Sequence, residues 1–140
     1  MATRGLYGYI KDGKRIAEYN SHDSYPDSLG MDFYTACKEN DTFEYPVGDN
    51  DISFLMDSLF CEWAYFFDRD DRIFEIWRGF QTEPDPQNPY GQSKNGDYYP
   101  CKRILCMRID DIPSDFFYDD EIETKCKLLQ RDSKLGIILP

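Results

Sequence analysis

Chemistry-bearing residues in this 140-residue chain concentrate at three points. The first is segment 19–30, YNSHDSYPDSLG, which brings Asn20, Ser21, His22, Asp23, Ser24, Tyr25 and Asp27 into one loop. His22-Asp23 there can act as an acid–base pair, or His22 can ligate a metal together with Asp23 or Asp27. The sequence holds a single His and no Cys at ligand spacing beside it, so a zinc site is not expected and loop capping is the reading adopted. The second point is Asp68-Arg69-Asp70-Asp71, whose carboxylates can gather a hard cation. The calcium-loop pattern with its internal Gly and terminal Glu is absent, so a solvated turn is expected. The third is Thr3 and Arg4, at the start of a strand that faces the polar loop. Thr3, Arg4, Asn20, His22, Asp23 and Tyr25 together form a candidate ligand pocket, with a plain ion pair between Arg4 and a loop carboxylate as the equal alternative. The chain has no phosphate-binding loop, dinucleotide fingerprint or G-x-S-x-G elbow. Accordingly no catalytic residue, metal or cofactor is assigned.

Charge supplies a different kind of candidate. Lys and Arg number 16 against 27 Asp and Glu, giving a formal net charge of -11 and a pI near 4.4. A field of that sign repels nucleic-acid phosphates and anionic membranes, so direct binding to either is not expected. The carboxylates come in runs: eight from Glu39 to Asp68, and seven from Asp110 to Glu123, both without a Lys or Arg. Acidic side chains interleaved with aromatics can imitate a nucleic-acid backbone and occupy the basic groove of a protein that handles nucleic acid. Asp110, Asp111, Asp115, Asp119, Asp120, Glu121 and Glu123 are the candidate partner-binding residues. The five Cys, at 37, 61, 101, 106 and 126, are odd in number and contain no C-x-x-C pair, which points to buried free thiols in a reducing compartment. Cys101 and Cys106, five apart on one expected strand, should project to opposite faces. The N-terminus lacks a signal-peptide pattern and no apolar run approaches the roughly 20 residues needed to cross a bilayer, so a cytoplasmic protein is expected.

The elements that must position these groups centre on 61–80, CEWAYFFDRDDRIFEIWRGF. Two aromatic-rich, β-favouring runs flank a charged turn, which is a hairpin pattern with strands near Glu62 to Phe67 and Arg72 to Gly79. Ile73, Glu75 and Trp77 should face one way and Phe74, Ile76 and Arg78 the other. Apolar residues on both faces place this hairpin inside a sheet covered on two sides. A second hairpin, Arg4 to Ile10 and Arg15 to Tyr19, turns at Asp12-Gly13, and Tyr7 and Tyr9 share a face. Ser28 is the expected N-cap of a helix reaching about Lys38. Asp51 or Asn50 is expected to cap a second helix with Ile52, Leu55, Met56, Leu59 and Phe60 on one stripe. Segment 81–99 carries Pro84, Pro86, Pro89, Gly91 and Gly96 and reads as a long loop, a lid or a mobile connection. A further strand is expected from Tyr99 to Ile109. Asp119 or Asp120 is expected to cap a last helix with Ile122, Cys126 and Leu129 on its buried side, and the apolar tail 135–140 can dock. The sum is one α+β domain over 1–140: a mostly antiparallel sheet of two hairpins plus one further strand, with about three helices.

The wording TRGLYGY, YNSHDSYPDSLG and EWAYFFDRDDRIFEIWRGF resembles a family of small uncharacterised phage and bacterial proteins that open with a T-R-G hairpin and continue with Y-N-x-x-D-S-Y-P-x-x-L-G. The resemblance implies a phage or mobile-element source and hence a host-interaction or anti-defence role. The element order is also similar to the start of N-terminal-nucleophile hydrolases, whose first strand carries the nucleophile. This chain departs at that position, since removal of Met1 exposes Ala2. The expected function is therefore a non-catalytic, acidic binding protein, an inhibitor of a cytoplasmic host protein of the antiviral or nucleic-acid-handling kind. The alternative is a small-ligand binder or degenerate hydrolase of the N-terminal-nucleophile type, using the pocket between Arg4 and the Asn20 to Tyr25 loop.

Overall fold

The computed structural model describes residues 3–40, 43, 47–48, 52, 55–57, 60–118 and 121–132. The chain is α+β, built on one mixed five-stranded sheet. Its strands are β1 (Gly5–Lys11), β2 (Lys14–Asn20), β3 (Trp63–Asp68), β4 (Ile73–Arg78) and β5 (Lys102–Arg108). Their spatial order is β2-β1-β3-β4-β5. Asp12 and Gly13 both take positive φ, which the tight β1–β2 turn requires and which Asp and Gly tolerate best. The β3–β4 turn is closed by Asp68, whose Oδ1 accepts from the backbone N–H groups of Asp70 and Asp71. Sequence reading had both hairpins in place. What it lacked is how they join: β1 pairs with β3 in parallel, Gly5 opposite Trp63 through Ile10 opposite Asp68, while the other three pairings are antiparallel.

The strand alternation gives the sheet two buried faces. On the first, Tyr7, Tyr65, Phe67, Phe74, Ile76, Leu105 and Met107 meet helix α1 (Met31–Lys38) and helix α2 (Ile122–Asp132), together with Phe116 and Phe117 from a 3-10 turn. Rings carry much of this contact, with Phe33 of α1 within 6.1 Å of Tyr7, Tyr9 and Phe74. On the second face, Leu6, Ala17, Ala64, Phe66 and Trp77 pack under Ile52, Leu55, Met56, Cys61 and Cys101. Among the described residues this cover is irregular chain, contributed by the connections into β3 and β5.

Helix α1 begins later than its expected Ser28 cap. Pro26–Gly30 form a π-helical turn that leads into α1, and Ser28 lies inside that turn with no side-chain cap. Pro26 holds Tyr25 in an extended conformation and starts the turn early. Gly30 allows the Tyr65 ring to lie against the chain there, since a Cβ at 30 would stand 2.8 Å from it. The expected helix around 51–60 falls largely outside the described residues, Asn50, Asp51 and Leu59 included. Ile52, Leu55 and Met56 are buried as its stripe demands, and Met56 N–H donates to the Ile52 carbonyl in helical spacing. The expected caps Asp119 and Asp120 and the tail 135–140 also lie outside the described residues. Helix α2 itself buries Ile122 and Cys126 as expected.

One expectation about β5 is corrected. A β-bulge between the Ile76 and Trp77 registers sets Leu105 opposite Ile76 but Arg103 opposite Trp77. The extra residue reverses the alternation. Cys101 thus joins the second-face cluster while Cys106 stands opposite Glu75 on the same side, rather than the two projecting apart.

Candidate functional site

The residues of the N-terminal candidate pocket are near neighbours, but most of their bonding is with other residues of the loop and the adjoining chain. Thr3 is buried, and its carbonyl accepts from Ser24 N–H at 3.1 Å. Asn20 Nδ2 donates to the His22 carbonyl and to Ser24 Oγ, and Ser21 Oγ lies 2.9 Å from His22 Nδ1. Asp23 adopts positive φ, which turns its carbonyl to accept from Leu29 N–H. Tyr65 OH reaches across from β3 to donate to the Ser24 carbonyl at 2.8 Å. These bonds wedge the loop against β1. Arg4 does form an ion pair, but with Glu62 and not with a loop carboxylate: its backbone N–H and Nε lie 2.7 and 3.5 Å from Oε2. His22, Asp23 and Tyr25 are exposed on the outer side of the loop.

The seven acidic candidates do not share one situation. Asp110 takes both Nε and Nη2 of Arg72, at 2.9 and 3.0 Å, and Arg72 also donates to Asn40 Oδ1 and the Lys38 carbonyl. This ties the β3–β4 turn to the end of α1, and hydrogen bonding to Arg72 holds the Asp110 carboxyl below its usual range. Glu123 accepts from Arg78 Nε at 2.8 Å. Asp111, Asp115 and Glu121 are exposed. Asp119 and Asp120 lie outside the described residues. Close to Asp115, Tyr118 is 67% exposed and Leu128 is 46% exposed. A shallow groove of about 220 Å³ is bordered by Pro113, Asp115, Phe116, Lys125, Leu128 and Leu129.

Sequence reasoning missed the most polar feature of the interior. Glu75, in the middle of β4 on the second face, accepts from two arginines at once. Arg15 of β2 gives a two-pronged contact, Nε to Oε1 at 2.8 Å and Nη2 to Oε2 at 2.7 Å. Arg103 of β5 adds Nη1 to Oε2 at 2.8 Å, and Trp77 Nε1 donates to Oε1 at 3.0 Å. All three charged side chains are at most 2% exposed. Arg15 lies against the rings of both Trp77 and Tyr90, 5.3 and 5.9 Å from their centroids, and its Nη1 also donates to Tyr90 OH. Tyr90 belongs to the long loop 81–99, which is pinned rather than loose. Gln81 bridges to Tyr99, and Asn88 is buried with Nδ2 on the Cys101 carbonyl. A charged residue inside the apolar run IFEIW was the available signal, because a buried carboxylate requires partners.

Burial by itself would push the Glu75 carboxyl up, but the hydrogen bonds and charge of Arg15, the charge of Arg103 and the Trp77 N–H outweigh it and hold the group below its ordinary 4.5. A depressed folded-state pKa contributes stability that is fully present above the unfolded value and lost as pH falls through the folded one. We therefore expect urea midpoints to be flat in this contribution at neutral pH and to drop below pH 4.5. A Glu75→Gln variant should lack that part of the acid slope. An unchanged slope in the variant would remove Glu75 from the acid response.

The cluster is not neutral. Two guanidinium groups face one carboxylate, and Arg103 Nε and Nη2 are buried with no hydrogen-bond partner. Leaving such donors unmet costs about 1–3 kcal/mol each. Cysteine chemistry is muted by burial: all five thiols are buried and free, and burial pushes Cys37 up to about 12 despite nearby Arg69 and Arg72. No group of three or more His, Cys, Asp or Glu converges as a metal site among the described residues. Among the same residues no helix is long and apolar enough to cross a membrane. Comparison with protein-family models, with curated proteins and with solved structures yields no significant match.

Proposed function

We propose that this chain is a non-catalytic binding protein that presents the surface of 111–128 to a protein with a basic groove, of the kind that nucleic-acid-handling proteins carry. The observation that carries the reading is the exposure of Asp111, Asp115, Tyr118, Glu121 and Leu128, of which Asp115 and Leu128 border the groove at Phe116. Carboxylates steer a basic partner and set its register, while the exposed ring and leucine supply the desolvated contact that gives affinity. Asp110 and Glu123 belong to this reading as scaffold, since their bonds to Arg72 and Arg78 hold the segment in place. Occupation of such a groove would inhibit the partner by excluding its own ligand.

The test is a tagged pull-down from host lysate at low and high salt, run in parallel with Asp111→Lys/Asp115→Lys, Tyr118→Ala and Arg4→Ala. We expect a partner that is retained at low salt, released at high salt and lost in the first two variants, while Arg4→Ala leaves it bound. Loss in Arg4→Ala with retention in the other two would transfer the function to the loop at Asn20 to Tyr25 and end the present reading.

A further inference from the structure

The long loop 81–99 reverses on itself at Asn95-Gly96-Asp97-Tyr98. Asn95 N–H donates to the Tyr98 carbonyl at 2.9 Å, and Tyr98 N–H returns to the Asn95 carbonyl at 3.4 Å. Gly96 takes φ +65°, as the first residue of such a two-residue turn must, and a Cβ there would meet nothing within 4 Å. Asn95 and Gly96 are both exposed. Of the Asn residues, at 20, 40, 50, 88 and 95, only Asn95 precedes a Gly. That pairing matters because a backbone nitrogen with no Cβ beside it is the one that can approach the preceding side-chain amide closely.

The partner of the Asn95 side chain gives the position its consequence. Asn95 Nδ2 donates to Asp57 Oδ2 at 2.8 Å, across 38 residues of chain. One residue before Asp57, the Met56 carbonyl accepts from Cys101 N–H at 3.0 Å. The Asp57 carbonyl accepts from Phe60 and Cys61 N–H, both at 2.9 Å, which sets the entry into β3. The two bonds to Met56 and Asp57 thus tie loop 81–99 and its exit to the chain that covers the second face. The same loop lays Tyr90 against Arg15 of the buried cluster. We propose that Asn95 is a site of covalent modification, a deamidation that breaks the tie between loop 81–99 and Asp57. The backbone nitrogen of Gly96 attacks Asn95 Cγ, the Cγ–Nδ2 bond breaks, and the amide leaves as ammonia with the proton from Gly96. Water then opens the resulting cyclic imide at either of its two carbonyls, giving an aspartyl or an isoaspartyl residue at position 95. Either product replaces the amide donor with a carboxylate that faces the carboxylate of Asp57, so the bond is lost and repulsion takes its place.

The experiment ages the full-length protein at mildly alkaline pH and physiological temperature and follows its peptides by mass spectrometry. A gain of about 1 Da is expected in the peptide that contains Asn95, divided between two chromatographically separate forms, before any other Asn peptide changes. Asn95→Gln keeps an amide but moves it one carbon farther from the Gly96 nitrogen, and should abolish the gain on the same timescale. Amide hydrogen exchange reads the consequence. In the aged protein, and at once in Asn95→Asp, exchange at Tyr99 and Cys101 should quicken about fivefold while Phe66 in β3 keeps its rate. A mass gain at position 95 that is absent, or no faster than at the other Asn residues, would overturn the modification. Unchanged exchange at Tyr99 and Cys101 in Asn95→Asp would overturn its role in holding the loop.

Discussion

Replacing Glu75 with Gln is expected to destabilise the protein by roughly 3–5 kcal/mol, the usual cost of removing one partner from a buried ion pair. The shape of the side chain is nearly kept, so little packing is lost. What changes is that Arg15 and Arg103, each at most 2% exposed, face no compensating charge. A domain of this size is stable by only about 5–15 kcal/mol, so the variant should melt on the order of 10 °C lower and unfold at a clearly reduced urea midpoint. The penalty belongs to uncompensated charge and not to loss of a favourable pair. The triple replacement Arg15→Met/Glu75→Leu/Arg103→Met should therefore recover most of the loss, because buried ion pairs commonly exchange for apolar groups at little cost. A Glu75→Gln loss under about 1 kcal/mol would mean that water already reaches the arginines.

That cluster also marks the limit of what the sequence discloses. The hairpins were legible because their determinants are local. Asp12-Gly13 supplies the turn, and the alternation of Ile73, Glu75 and Trp77 against Phe74, Ile76 and Arg78 assigns the faces, as the two core clusters bear out. The partners of Glu75, by contrast, lie 60 and 28 residues away, and nothing near Arg15 or Arg103 announces them. Arg103 is doubly hidden, since simple alternation from Met107 and Leu105 assigns it to the first face and only the bulge reverses that. The parallel pairing of β1 with β3 is invisible for the same reason: it is made by a crossover of more than forty residues, not by a turn. At the surface, carboxylate runs were easy to count, but the sequence had no means of separating Asp110 and Glu123, which are spent on Arg72 and Arg78, from Asp111 and Asp115, which face solvent.

Gly8→Ala should be comparably damaging, at about 3 kcal/mol or more, the upper end of what overpacking costs. A Cβ at position 8 would fall 1.8 Å from the Ile16 carbonyl oxygen and 2.8 Å from Ala17 Cα, and both are backbone atoms that no rotamer change can move. Strands β1 and β2 would have to separate locally. Strand β2 carries Arg15, and Gly8 shares its row across the sheet with Phe66 and Glu75. Any shift of β2 therefore pulls the Arg15 fork from Glu75, so part of the cost of Gly8→Ala is the same electrostatic loss that Arg15→Met causes directly. The two substitutions should accordingly be sub-additive, with the double variant less unstable than the sum by about 1 kcal/mol or more. Urea unfolding of the four proteins in this cycle decides the matter. Strict additivity would show that β1 and β2 can part at Gly8 without disturbing the arginine, and the long reach of Arg15 across the sheet would then not depend on a close β1–β2 seam.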